Sequence, residues 1–322
     1  MHTVVPGLVS VVIPAYNAAR YVKEAIDSVL AQTYPSIEIV VVNDGSTDNT
    51  LDILATYGDR IQVVTQKNGG PSVARNKGIR FSRGEFIDLM DADDAWLPTK
   101  VEKQVEVLKS DPEIGMVTCS AFYVDGDGKL LSVRKAGRYA TREEARQAFY
   151  VRNWIVGGPS AVMIPRTCFE EVGIFNSNIK TMEDWDMWIR VTDRFRVVSL
   201  LEPLVRYRVH EHNLHKNVET MQKGQFWFIK KYGREMGWLN RRKALSFSWQ
   251  DASCEYLKAG KIGMACLSAL KAIGHFPFRV YEGDDKYPLL LKTLLPRPVA
   301  RVARTVRQAL SPRPGKEVTW AS

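Results

Sequence analysis

The chain has 322 residues, a net charge of +9, 45% apolar residues and 25% charged residues, the balance of a soluble globular protein with one large domain or two ordinary ones. Its four cysteines form no C-x-x-C pair, which argues against a zinc site or a disulfide framework and for reduced thiols. No run approaches the roughly 18 apolar residues of a membrane span, and the N-terminus lacks the basic and apolar regions of a signal peptide, so a cytoplasmic, unexported protein is expected.

Residues 9–13 read as a buried strand stopped by Pro14, and 20–32 as a helix with Val22, Ile26, Val29 and Leu30 at helical spacing. A second buried strand is expected at 37–42. Asp48 then caps a helix reaching about Tyr57, and a third strand follows at 61–65. Pro71 suits the first turn of a helix over 71–81, and 85–90 is a fourth strand. This β-α-β-α-β-α-β order predicts a Rossmann-like, mainly parallel α/β sheet flanked by helices. A helix opens at Pro98. Strands at 116–123 and 130–133 pair across Asp125-Gly126-Asp127-Gly128, a turn sequence. A helix at 141–151 and strands at 160–164 and 196–201 complete this region. Helices at 243–259 and 262–273 follow, and a boundary near 210–220 divides residues 1–215 from a smaller helical region, 216–322.

The second and fourth strands end in acidic clusters: Asn43-Asp44-Gly45-Ser46-Thr47-Asp48 and Met90-Asp91-Ala92-Asp93-Asp94. Ligands of parallel α/β sheets bind outside the carboxyl ends of the strands. Clustered carboxylates repel one another unless a cation joins them, and oxygen ligands at this spacing suit Mg²⁺ or Mn²⁺. Asp-x-Asp also occurs at Asp125/Asp127, where a hairpin turn accounts for it, and at Asp184/Asp186. There is no G-x-x-x-x-G-K, no G-x-G-x-x-G and no calcium-loop spacing, so metal is expected to hold the phosphates of the ligand.

Four stretches in order carry a resemblance: Val11-Val12-Ile13-Pro14-Ala15-Tyr16-Asn17, the Asn43–Asp48 cluster, Gly69-Gly70-Pro71-Ser72-Val73-Ala74-Arg75-Asn76-Lys77-Gly78, and Met90-Asp91-Ala92-Asp93-Asp94. Over residues 8–210 the chain resembles glycosyltransferase family 2, of the GT-A fold. The resemblance implies a nucleotide-sugar site in which Pro14, Ala15, Tyr16 and Asn17 line the base and ribose pocket, with core packing as the alternative for Tyr16. Asp44 hydrogen-bonds the base, commonly uracil, and Arg75 lies near base and diphosphate. Asp91 faces the ribose and metal side, Ala92 and Asp93 belong with it to the nucleotide-sugar site, and Asp93 leads the metal ligands, with Asp91 and His210 beside it. A structural histidine is the alternative at His210. In Thr181-Met182-Glu183-Asp184-Trp185-Asp186, the resemblance makes Asp184 the catalytic base, with Glu183 and Trp185 on the acceptor. Helix N-terminal charges, and a core tryptophan at Trp185, are the bland alternatives.

The implied reaction is inverting transfer of a sugar from a nucleotide donor, UDP-linked by expectation, to the hydroxyl of a saccharide or lipid-linked acceptor, in polysaccharide, O-antigen or glycolipid synthesis. A non-catalytic nucleotide-sugar-binding module and a sugar nucleotidyltransferase are the rivals. The latter usually carries an N-terminal glycine-rich phosphate loop, where this chain has Pro14-Ala15-Tyr16-Asn17. Residues 287–322 hold seven bases and one acid. The rest is near neutral, which argues against nucleic acid as a partner. Val299, Val302, Ala303, Val306 and Leu310 recur at helical spacing with Arg297, Arg301, Arg304 and Arg307 largely on another face. This basic amphipathic tail suits peripheral contact with an anionic membrane at the inner face of the cell membrane.

Overall fold

A computed structural model describes residues 3–210, 218–280 and 286–294. The expected basic amphipathic helix beyond Pro296 lies outside the described residues. Strands β1 (Val5–Ala15), β2 (Ile37–Asn43), β3 (Gln62–Thr65) and β4 (Gly84–Leu89) alternate with helices α1 (Val22–Leu30), α2 (Thr50–Ala55) and α3 (Pro71–Phe81). The strands pair in parallel in the order β3-β2-β1-β4. Val9, Val11, Val12 and Ile13 of β1 are fully buried, as expected for a central strand covered on both faces.

Pro14 does not stop β1, which pairs with β2 as far as Ala15–Asn43. The pairing with β4 has already ended at Val12–Leu89. Val9 donates to Ser36 on the β2 side, and Val12 accepts from Met90 on the β4 side. Position 14 therefore faces the β4 side beyond the last β4 pair, where no ladder bond is lost to a missing N–H. Helix α3 begins at Pro71 as the sequence predicts, and it packs closely on the sheet through Gly78. A Cβ there would lie 2.3 Å from Val12 Cγ1.

The second half of the sheet is mixed. It comprises β5 (Ala95–Trp96), β6 (Ile114–Val124), β7 (Leu130–Arg134), β8 (Met163–Pro165) and β9 (Arg196–Arg208), with α4 (Lys100–Ser110), α5 (Arg142–Val151), α6 (Arg166–Val172) and α7 (Glu183–Thr192) between them. The order continues β4-β8-β6-β9-β5, with β7 on β6. β6 and β9 are parallel, but β8, β5 and β7 pair antiparallel, so parallel order dominates only the N-terminal half. The expected 160–164 strand is shorter than predicted. Gly158–Ala161 forms a 3-10 turn, and only Met163–Pro165 extends.

Beneath β4, Asp88 and Lys100 are fully buried, with Lys100 Nζ 2.6 and 2.8 Å from the two Asp88 oxygens. Gln104 Oε1 also accepts from Nζ at 2.8 Å, and the Trp96 ring centroid lies 3.7 Å away. Burial pushes the Asp88 carboxyl up and the Lys100 ammonium down, while the pairing opposes both shifts.

The C-terminal helices are α8 (Val218–Tyr232), α9 (Gly237–Lys258), α10 (Ile262–His275) and α11 (Lys286–Leu294). The chain divides into compact units at Met1–Ala244 and Leu245–Ser322, later than the expected boundary at 215. The reason is α8: its Phe228 stacks on Trp185 of α7 with centroids 3.9 Å apart, and its Tyr232 hydroxyl donates to the buried Asp186 at 2.8 Å.

Candidate active site

The carboxyl ends of β1, β2 and β4 form one edge, and each leads into a segment singled out by the sequence. Pro14 and Ala15 close β1, with Ala15 buried and Tyr16 exposed. Tyr16 is thus not a core residue. Asn17 follows with φ of 48°, a left-handed conformation that asparagine tolerates better than most residues. It binds across to the loop after β2: its amide donates to Ser46 Oγ at 3.0 Å, and its Oδ1 accepts from Thr47 N at 2.8 Å. Asp48 Oδ1 accepts the Thr50 amide at 3.0 Å at the head of α2.

Asp44 points inward and is buried. Its Oδ1 accepts from Gln66 Nε2 at 2.7 Å and from Gly69 N at 2.8 Å, and its Oδ2 accepts from Gly70 N at 2.8 Å. Here it fixes the loop that starts α3, which is how Arg75 reaches the edge.

Arg75 is buried and joins two segments far apart in sequence. Nη2 donates to Asp91 Oδ1 at 2.7 Å, and Nη1 donates to Glu183 Oε1 at 3.0 Å. Burial disfavours its charge, but Asp91 and Glu183 outweigh burial and hold its pKa above the ordinary guanidinium value. Its Nε is buried with no hydrogen-bond partner.

The turn after β4 is held from behind. Asp94 is buried; its Oδ2 accepts from Ser160 Oγ at 2.5 Å and its Oδ1 from the Arg208 amide at 2.8 Å. Ser160 Oγ also accepts the Asp91 amide at 2.9 Å. Arg208 Nε donates to the Asp93 carbonyl at 2.8 Å, and Nη2 to Glu24 Oε2 at 2.6 Å. Nη1 reaches the carbonyls of Asp125 and Gly126 in the β6–β7 turn. Burial raises the Asp94 pKa well above that of an ordinary carboxyl, and the charges of Asp93 and Asp91 add to the rise. The side chains of Asp91 and Asp93 remain partly exposed, and His210 Nε2 lies 2.8 Å from Asp93 Oδ2.

The chemistry of these donors fits a divalent cation: two partly exposed carboxylates and an imidazole stand at the strand ends. Among the described residues, no group of three or more His, Cys, Asp or Glu is placed to enclose an ion. That is compatible with Mg²⁺-type binding, in which one or two carboxylates share the ion with substrate phosphates.

On the other side of Arg75, α7 starts from Met182, whose φ is 68°. Asp184 Oδ1 accepts its neighbour's amide, from Trp185, at 2.7 Å, and Oδ2 accepts from Asn153 Nδ2 at 3.1 Å. Burial and the nearby Glu183 raise the Asp184 pKa to about 6, against the opposing pull of the Trp185 amide, Arg75 and Asn153. Trp185 does not face an acceptor. It is 2% exposed, stacks on Phe228 and donates Nε1 to the Phe149 carbonyl at 2.6 Å, so the core reading replaces the sugar-stacking one.

The structure thus brings Arg75, Asp91, Asp93, His210, Glu183 and Asp184 into one connected set, with Ala92 buried inside the turn. It adds Asn153, Asp94, Ser160 and Arg208, which the sequence reading passed over. Asp94 directly follows Asp93, and Arg208 lies two positions before His210. Asn153 carried no signal.

A sheet of this order, with carboxylates gathered at its strand ends, is a GT-A-like fold. The chain belongs to glycosyltransferase family 2, whose family model, Glycosyl transferase family 2, matches residues 10–173. An uncharacterized glycosyltransferase of Rickettsia prowazekii is 38% identical over 208 residues, 63% of this chain and 64% of that protein. The chain therefore spans under two thirds of that relative's length. The Bacillus subtilis glycosyltransferase TuaG, named for teichuronic acid biosynthesis, is 33% identical over 69% of this chain and 86% of its own. Among solved structures, S. aureus TarS 1–349 in complex with UDP-GlcNAc aligns with a TM-score of 0.57 at 18% identity, over 86% of this chain and 95% of TarS 1–349. The mannosyltransferase PcManGT from Pyrobaculum calidifontis, in complex with GDP-Man and Mn²⁺, aligns at 0.58 and 18%, over 93% of this chain and 87% of that one.

Proposed function

We propose that the chain is an inverting, metal-dependent glycosyltransferase that moves a sugar from a nucleoside diphosphate sugar to an acceptor hydroxyl. The observation that carries this reading is the Arg75 bridge, which links Asp91 at the donor edge to Glu183 beside Asp184. In this reading Asp184 takes the acceptor proton as the acceptor oxygen bonds to the anomeric carbon and the bond to the diphosphate breaks. A carboxyl titrating near 6 is matched to that task. Asn153 and the Trp185 amide fix the carboxylate's orientation. Asp93, with Asp91 and His210, would hold Mg²⁺ or Mn²⁺, which when bound neutralises charge on the leaving diphosphate.

UDP sugars are the first donors to test, and GDP-mannose the second, because the relatives of like fold bind UDP-GlcNAc and GDP-Man. TuaG's role favours a polysaccharide acceptor over a small molecule. The test is a screen of nucleotide sugars with and without Mn²⁺, with the anomeric configuration of the product read by NMR. Retention of configuration, or turnover unchanged by chelation, overturns the reading.

A further inference from the structure

We propose that the outward face of α10 is a docking surface for an anionic lipid bilayer. Helix α10 is built inside out. Its buried face consists of Ala265, Ser268, Ala269 and Ala272, all small. This lets it lie close to α9, where Ser253 Oγ donates to the Ala265 carbonyl at 2.7 Å and Ser246 Oγ to the Ala272 carbonyl at 2.8 Å. Its large apolar residues face away: Leu267 is 54% exposed, Leu270 51% and Met264 45%. Gly263, Leu267, Leu270 and Gly274 fall on one stripe by helical periodicity. A Cβ added at Gly263 would meet no atom within 4 Å, so the stripe borders open space there. Lys271 is the one Lys, Arg, Asp or Glu in the helix. A helix apolar on all sides is normally buried, so this face calls for a cover.

The charge around it selects the cover. On and beside α10 the exposed bases are Lys261, Lys271 and Arg279, with no aspartate or glutamate between residues 256 and 280; Lys258 pairs with Glu255 at the end of α9, and the next acid in sequence is Glu282. The 72% exposed Phe278 lies in the same segment. A second copy pressed on this face would set like charges against each other. An anionic bilayer accepts leucines into its acyl boundary and bases at its headgroups. With 14 residues α10 is too short to span, and no described helix is long and apolar enough to cross a membrane. Contact is therefore in the plane of the surface. This proposal does not depend on the activity proposed above, and it concerns α10 rather than the tail after Pro296.

The test is flotation of the full chain with phosphatidylcholine–phosphatidylglycerol vesicles at low salt, with pure phosphatidylcholine vesicles as control. The full chain is expected to float with the anionic vesicles only. Leu267→Gln with Leu270→Gln should lower the bound fraction about tenfold or more without changing the melting temperature. Lys261→Glu with Lys271→Glu should weaken binding and its salt dependence. Gly263→Leu, which enters open space, should strengthen it. Failure of the full chain to float overturns the proposal. Equal flotation of the leucine variant overturns it too, by placing the contact elsewhere. So does a dimer that the leucine variant abolishes while neither protein floats, which makes the face a self-association interface. Donor turnover measured without vesicles reads the proposed activity separately.

Discussion

Asp88 and Asp91 leave the same strand three positions apart and have opposite surroundings. Asp88 lies fully inside, its charge met by Lys100 at both oxygens, with Gln104 completing the ammonium's partners. Asp91 and Asp93 lie past the strand end, partly exposed, with Arg75 on Asp91, His210 on Asp93 and Arg208 on the Asp93 carbonyl. The comparison separates an acid enclosed in the core from acids at the strand end that solvent can reach. Both Asp88 and Asp91 have a cation beside them, but the first pair is sealed from solvent, whereas Asp91 keeps part of its side chain exposed.

Four changes would break or sharpen that contrast. Asp93→Ala is expected to lower turnover by roughly 10³-fold or more, the scale of losing a group that stabilises transition-state charge, with the melting temperature nearly unchanged. Turnover near the parent level in saturating Mn²⁺ would remove Asp93 from the site. Lys100→Met should do the reverse, leaving Asp88 buried without its cation. That costs about 3–5 kcal/mol in denaturant unfolding, and Asp88→Asn in the same chain should recover most of it. A Lys100→Met protein as stable as the parent would show that the pair is not the structural element described here.

Asp184→Asn should cost on the order of 10²-fold or more in kcat with donor affinity by calorimetry intact; loss of affinity would instead place Asp184 in the donor site. A base must be deprotonated to act. Because the Asp184 carboxyl is raised to about 6, log kcat should climb as pH rises toward 6 and level off above it, and the Asn variant should lose this limb. The smallest effect is expected from Asn153→Ala. Its hydrogen bond favours the charged carboxylate, so its loss should move the limb to higher pH while KM for the donor holds. An unmoved limb would leave Asn153 a purely structural residue.

The elements read correctly from sequence are those with local causes. The valine and isoleucine runs of β1, β2 and β4 read as buried strands because both faces are covered, and α3 was marked by Pro71 at its first turn. The acidic clusters were placed at the right edge because parallel order alone defines it. What escaped depends on contacts between distant segments. β5 is two residues long and exists only by pairing with β9. The inward turn of Asp44 depends on Gly69 and Gly70 amides that the α3 loop presents. Trp185 lies in an acidic helix start, and nothing local revealed that Phe228 would cover it. Pro14 looks like a stop in the sequence because the earlier ending of β4 is a property of the neighbour, not of the strand.

Asp186 bears on how such a protein can be recombined. It is fully buried in α7, and its partners are Arg190 of the same helix, at 3.1 Å, and Lys231 and Tyr232 of α8. A hybrid spliced at residue 215 would inherit the acid from one parent and two of its three partners from the other. Unless both parents share this pairing, the splice strands a carboxylate in the interior, a mismatch that destabilises strongly. A crossover that keeps Asp186 with its partners lies beyond Tyr232, so α8 has to travel with α7.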